Sequence, residues 1–270
     1  LYLVINNEII FNSTIIISIF ILCFFSYFNF KKFLIKNNFS SFDSHLISSL
    51  ISYLVLFFSK NGMESALAVY FFSLSLIFLN KNIIIFSLLS FLSFLSRLEF
   101  LILYFFILSY ELFFKKKILI LDFFIKILFL PLLIILYLWI NLILFGSILP
   151  ESGLAKSLTK EIKINLETFS FLKSNSYGMK FISILFLINC IGIFFIFNKK
   201  LNIFTKLTTI STALFFLSNS IRSSWPLWTW HFLFLAISTP FLISDFIKFI
   251  NFKYKNNFAV LFGIFFVTVY

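Results

Sequence analysis

From Ile9 to Phe30 the chain runs without one charged side chain. That length constrains the fold more than any other feature. A helix rises about 1.5 Å per residue, so about 20 apolar residues reach across the roughly 30 Å hydrocarbon layer of a bilayer. No water is available there to bond open backbone groups, and a helix satisfies all of its own. The run is closed by Lys31, Lys32 and Lys36. Similar apolar stretches follow at 44–59, 65–80, 82–96, 100–114, 118–145, 181–197, 207–220, 232–247 and 258–270. Pro131, inside the long 118–145 stretch, is expected to kink that helix or end it early.

Composition agrees with this pattern. Hydrophobic residues are 61% of the chain, charged residues 12%, and the mean hydropathy is +1.07. Soluble domains are about half apolar and about a quarter charged. The expected fold class is therefore all-α: a polytopic transmembrane helical bundle of about nine or ten membrane segments. No Pro/Gly/Ser-rich linker divides it, so residues 1–270 read as a single integral membrane domain. A polar stretch at 146–180 reads as its extracytoplasmic loop. The net charge of +12 does not point to nucleic acid, because the basic residues form no stripe or Arg-rich helix. Cys23 and Cys190 sit in apolar runs without CxxC spacing and read as core thiols, and no metal-ligand spacing is present.

Alternating the spans across a bilayer sorts the charges. One face receives Lys31, Lys32, Lys36, Lys81, Lys115, Lys116, Lys117, Lys199, Lys200, Lys206, Lys248, Lys253 and Lys255, almost without acids. By the positive-inside rule that face is cytoplasmic. The other receives Glu8, Lys60, Glu64, Arg97, Glu99, Arg222 and the Trp225, Trp228 and Trp230 cluster. Asp122 and Lys126 stand four apart and read as mutual neutralisation. Glu111 and Asp245 fall near cytoplasmic ends, where snorkelling accounts for them.

Three polar motifs lie on the expected outer face: Asn61-Gly62-Met63-Glu64-Ser65, Arg97-Leu98-Glu99, and Phe145 through Lys156. A carboxylate at a helix N-terminus is favoured by the dipole and can orient a cation. Arg and Lys at the water–lipid boundary suit a phosphate whose lipid tail stays in the bilayer. Glu64, Arg97, Glu99 and Lys156 thus form a candidate acid–base and phosphate-binding set. The plainer alternative is that Arg97 and Glu99 pair across a hairpin and Glu64 caps a helix. His231, within a Trp-rich boundary segment, is either an interfacial anchor or a substrate-binding group.

The wording and order of these motifs resemble one bacterial branch of the GT-C glycosyltransferases. Gly62-Met63-Glu64-Ser65-Ala66-Leu67 is similar to that branch's GMEtaL segment, and Arg97-Leu98-Glu99 to its RPE or RPD. The run Phe145-Gly146-Ser147-Ile148-Leu149-Pro150-Glu151-Ser152-Gly153-Leu154-Ala155-Lys156 is similar to FGSPLPNTAYAK. The tail from Trp225-Pro226 to His231-Phe232-Leu233 resembles a DWMPG-RFLLP segment, with Ser224 and His231 where Asp and Arg are expected. Leu98 replaces the proline of RPE, and Glu151-Ser152 replaces the NT that follows the loop proline.

The resemblance implies a multi-pass enzyme of the bacterial cytoplasmic membrane, serving the cell envelope with its active face extracytoplasmic. It would move a sugar from a polyprenyl-phosphate donor to a glycan, lipid or protein acceptor. Such relatives include terminal arabinofuranosyltransferases and protein mannosyltransferases. Arg97 and Lys156 would hold the donor phosphate, with Glu64, Glu99 and His231 completing the substrate contacts. The general base is expected in a first extracytoplasmic loop, and Glu8 matches no paired-acid pattern for it. Since Leu1 is not a Met, that loop and a first helix are expected upstream, the chain being a fragment. Any divalent metal would find its ligands in the same loop. The alternatives are a non-enzymatic flippase, carrier or assembly subunit, and a truncated inactive relative.

Overall fold

The run at 9–30 becomes helix α1 (Glu8–Lys36), about 43 Å long at the usual rise. It turns back into α2 (Ser41–Phe58) through Asn38, the one non-glycine residue with positive φ among those described, at 63°. The Asn38 N–H bonds the Ile35 carbonyl at 3.2 Å, and the Phe39 N–H bonds the Leu34 carbonyl at 3.1 Å. This is a Schellman C-cap, in which Asn tolerates the left-handed backbone and Phe39 packs down beside Leu34, both being buried. Ser40 opens α2, its hydroxyl oxygen accepting the Asp43 N–H at 3.1 Å.

The computed structural model describes residues 8–59, 63–79, 81–114, 120–147, 166–222, 227 and 229–249. The described part is helical and holds no strand. The apolar run expected at 258–270 lies outside these residues. The chain divides into two compact units, 1–148 and 149–270, with the boundary in the polar stretch 146–180.

In the first unit, α3 (Met63–Phe78) packs on α1 and on α4 (Ile83–Ser96). Both helices carry small buried side chains, Ser65, Ala66 and Ala68 on α3 and Ser87, Ser90 and Ser93 on α4, while Ser73 of α3 accepts the Asn29 amide of α1 at 3.2 Å. Without a hydrophobic force between helices in lipid, such residues let backbones approach and exchange hydrogen bonds. The Ser93 hydroxyl donates to the Ala68 carbonyl at 2.9 Å. Helix α5 (Phe100–Phe114) runs alongside, with Tyr104 fully buried between Phe72 and Phe86, its hydroxyl 3.2 Å from Ser75 Oγ.

Helix α6 (Ile120–Phe145) continues through Pro131 rather than stopping there. Leu132, Ile135, Trp139 and Ile143 stand about 60% exposed along it and form an apolar face. Among the described residues four segments are long and apolar enough to cross a membrane: 12–36, 41–58, 128–145 and 177–194. These place the chain in a bilayer. Helices α3, α4 and α5 are apolar but shorter. At 16 residues α3 reaches about 24 Å, short of the roughly 30 Å core.

The second unit holds a 3-10 helix (Leu166–Lys173), α7 (Tyr177–Phe194), α8 (Ile203–Arg222), a short 3-10 turn (Thr229–Phe232) and α9 (Leu233–Phe249). The polar stretch 146–180 is thus not loop throughout: Thr168 and Phe171 of the 3-10 helix are buried. Phe171 meets Phe232 at 4.9 Å between centroids and Phe186 at 5.5 Å, both edge-on. Such pairs are worth about 0.5–1.5 kcal/mol beyond area burial. Every residue of α9 from Leu233 to Asp245 is buried. Gly192 lets α7 close on it, since a Cβ there would lie 2.6 Å from Leu242 Cδ2.

Candidate functional site

At one end of the first unit, α4 gives way to α5 within three residues, Arg97-Leu98-Glu99. Arg97 is the C-cap of α4: its N–H reaches the Ser93 carbonyl at 2.9 Å, and extended backbone turns the chain away. A guanidinium is favoured beside a helix C-terminus, where the carbonyl dipoles leave negative charge. Two residues later Glu99 precedes the first turn of α5, whose amides favour a carboxylate. The link therefore carries both signs of charge for local reasons before any ligand is considered.

The antiparallel α3–α4 pair then brings a second motif to the same place. Arg97 Nη2 donates to Ser65 Oγ at 3.1 Å, and Ser65 is fully buried in the first turn of α3. Next to it Glu64 is exposed, while Arg97 and Glu99 are half-buried. Among the described residues no ion pair joins Arg97 to Glu99. Arg97 Nη2 reaches the neutral hydroxyl of Ser65, because α4 ends facing the start of α3. The positions Glu64, Ser65, Arg97 and Glu99 thus share one end of the α3–α4–α5 group, with Ser93 one turn below. Chemically, a guanidinium fixed by a hydroxyl, beside two helix N-termini, is a seat for an anionic oxygen.

The other expected residues fare differently. Lys156 lies outside the described residues, as do Trp225 and Trp228. For Glu8, Asp122 and Lys126 only the backbone is described. His231 lies in the turn before α9 and is 8% exposed, so it is packed into the second unit. Phe145-Gly146 ends α6, and Gly146 adopts a φ of 67° with nothing within 4 Å of a Cβ built there. Among the described residues no group of three His, Cys, Asp or Glu side chains could hold a metal ion.

Two polar sites in the second unit escape a linear reading. Asp245 is 3% exposed, so it does not snorkel as expected. Its Oδ2 accepts the Asn202 N–H at 2.8 Å and the Thr205 hydroxyl at 2.7 Å, fastening the start of α8 to the end of α9. Lys248 stands 3.6 Å from its other oxygen. Glu111 is likewise buried at 2% exposure. In the C-terminal third of α7, Asn189 donates to Thr239 Oγ1 at 2.8 Å and accepts from the Ser238 hydroxyl at 2.5 Å. Only the polarity of these residues within apolar runs could have flagged them, since their partners lie 40 to 50 positions away.

No family model matches this chain, and neither a curated protein nor a solved structure does.

Proposed function

We propose that this protein is a membrane glycosyltransferase that uses a polyprenyl-phosphate sugar as donor, with its reaction centre at the end of the first unit bearing Arg97. The observation that carries the reading is the Arg97–Ser65 hydrogen bond, because it joins two motifs 32 residues apart that the GT-C resemblance picks out separately. Arg97 binds the donor phosphate and offsets the charge that grows on it as the sugar departs; the GT-C resemblance separately gives Lys156 of the third motif a phosphate-binding role. Glu64 and Glu99 orient the Arg97 guanidinium. The acceptor hydroxyl belongs to a glycan, lipid or protein on the extracytoplasmic face of a bacterial cytoplasmic membrane. The shorter helices α3, α4 and α5 complete the crossings by local bilayer thinning and snorkelling ends.

The test is release of polyprenyl phosphate from a labelled donor by membranes carrying the native protein. Arg97→Ala should lower turnover about 10²- to 10³-fold, the usual loss when one charge-stabilising donor is removed. Arg97→Lys should recover only part of it, since an ammonium lacks the planar fork. Wild-type turnover by both Arg97→Ala and Lys156→Ala, with normal insertion, would sink the assignment.

A second reading, a carrier or assembly subunit, draws on the buried Asn189–Ser238–Thr239 cluster between α7 and α9. Flux of the intact lipid-linked sugar across liposomes, without covalent change, would decide for it.

A further inference from the structure

Between α1 and α2 an apolar groove of 210 Å³ opens sideways, lined by Phe20, Cys23, Phe24 and Tyr27 from one helix and Tyr53 and Leu56 from the other. That volume is below the roughly 300–1,000 Å³ of enclosed small-molecule sites. Its walls are continuous with exposed lipid-facing side chains, Phe20 at 60% and Phe24 at 53%. A flexible hydrocarbon chain fits such a slot better than a rigid ligand does.

The groove is not alike at its two ends. On α1 the line Phe20, Phe24, Tyr27, Lys31 follows the three- and four-residue spacing of one helix face, so the stripe passes from apolar to cationic. On the antiparallel α2, the line Leu56, Ser52, His45 passes from apolar to polar in the same direction. Tyr27 OH and His45 Nδ1 meet at 2.6 Å and close the slot where the polarity changes. Past that point come Lys31, Lys32 and Lys36. The acid in the first turn of α2, Asp43, is 3% exposed and takes the Ser40 hydroxyl at 2.5 Å, so its charge is turned inward. The outward field at this end is therefore positive.

We propose that the α1–α2 groove is a binding site for an anionic phospholipid. Its acyl chain lies along Phe20, Phe24 and Leu56, and its phosphate headgroup meets Lys31 beside the Tyr27–His45 pair. The occupant is amphiphilic because the groove is, and anionic because the polar end carries lysines with its acid buried. The site rests on the bilayer setting alone and is independent of the transferase reading, so either can fail without the other.

The experiment uses the whole protein in nanodiscs containing phosphatidylglycerol or phosphatidylcholine with the same diazirine-bearing acyl chain. After photolysis, adducts are mapped by peptide mass spectrometry. Phosphatidylglycerol should label the 20–27 and 52–56 peptides about fivefold more than phosphatidylcholine, the preference one basic side chain near a headgroup supplies. Lys31→Glu should bring that ratio to about one while the elution profile stays unchanged, with Lys31→Gln serving if the Glu variant inserts poorly. Ser52→Trp should fill the slot and remove adducts there with both lipids. Equal labelling of the wild type by the two lipids, adducts elsewhere only, or an unchanged ratio in the Lys31 variants would overturn the proposal.

Discussion

Removing the Asp245 carboxylate should undo the junction of α8 and α9. Asp245 Oδ2 accepts the Asn202 N–H and the Thr205 hydroxyl, at 2.8 and 2.7 Å. Asn202 in turn caps the helix, its Oδ1 accepting the Phe204 N–H at 2.9 Å. A hydrogen bond to a charged group contributes about 1.5–3 kcal/mol in soluble proteins. Measured bonds between membrane helices average about 0.6 and reach about 1.7 kcal/mol. Asp245 sits toward the upper figure, because Thr205 is 1% exposed and an abandoned hydroxyl would find no water. The ion pair with Lys248 adds little, since that lysine side chain is 39% exposed. Asp245→Ala should therefore cost about 3 kcal/mol, roughly a hundredfold in the opening equilibrium of the first turn of α8. Asp245→Asn, which keeps one acceptor, should cost about 1 kcal/mol. Hydrogen exchange of the 201–208 peptide in nanodiscs reads this locally, without assuming that the whole chain unfolds in one step. A double-mutant cycle with Thr205→Val should show coupling of about 1 kcal/mol. Protection in the Ala variant within about threefold of wild type would refute the claim that this carboxylate holds α8.

Two further outcomes follow from backbone positions. Gly192→Ala should destabilise the α7–α9 contact by about 1–3 kcal/mol, because the new Cβ meets Leu242; Leu242→Ala in the same chain should recover part of that loss in a denaturation midpoint. Asn38→Gly should leave stability unchanged or slightly raised, whereas Asn38→Val should cost about 1–2 kcal/mol at the left-handed cap, measured by the same midpoint.

The apolar runs made the helices legible, because a span without charges has few alternatives. The run at 100–114 coincides with α5, while that at 9–30 stops short of α1 by six residues at its lysine-bearing end. There Lys31, Lys32 and Lys36 continue the helix past the apolar stretch: charge marks a membrane boundary and not a helix boundary. Leu166–Lys173 was hidden inside a polar stretch, since its Thr168 and Phe171 are buried only once α7 and α8 are beside them. The motifs around Glu64 and Arg97 stood out as scarce charges. Ser65, which holds Arg97, did not stand out, being one serine among many until the α3–α4 pairing selects it. Phenylalanine was readable as lipid-facing bulk on α1, where Phe20 and Phe24 are exposed. The same residue type makes the interior contacts of Phe171, Phe216 and Phe232, and composition cannot separate the two uses.

The Asn189 cluster has a bearing on biosynthesis. Asn189 keeps one bond inside α7, its Nδ2 donating to the Leu185 carbonyl at 2.9 Å, but its Oδ1 bonds across to Ser238 of α9. Asn189 emerges from the ribosome about 50 residues before Ser238 and Thr239. Until α9 arrives, α7 would expose the Asn189 amide oxygen to hydrocarbon. The economical route is for α7 to wait at the insertion machinery, shielded, and to enter the lipid phase together with α8 and α9 as one packed group.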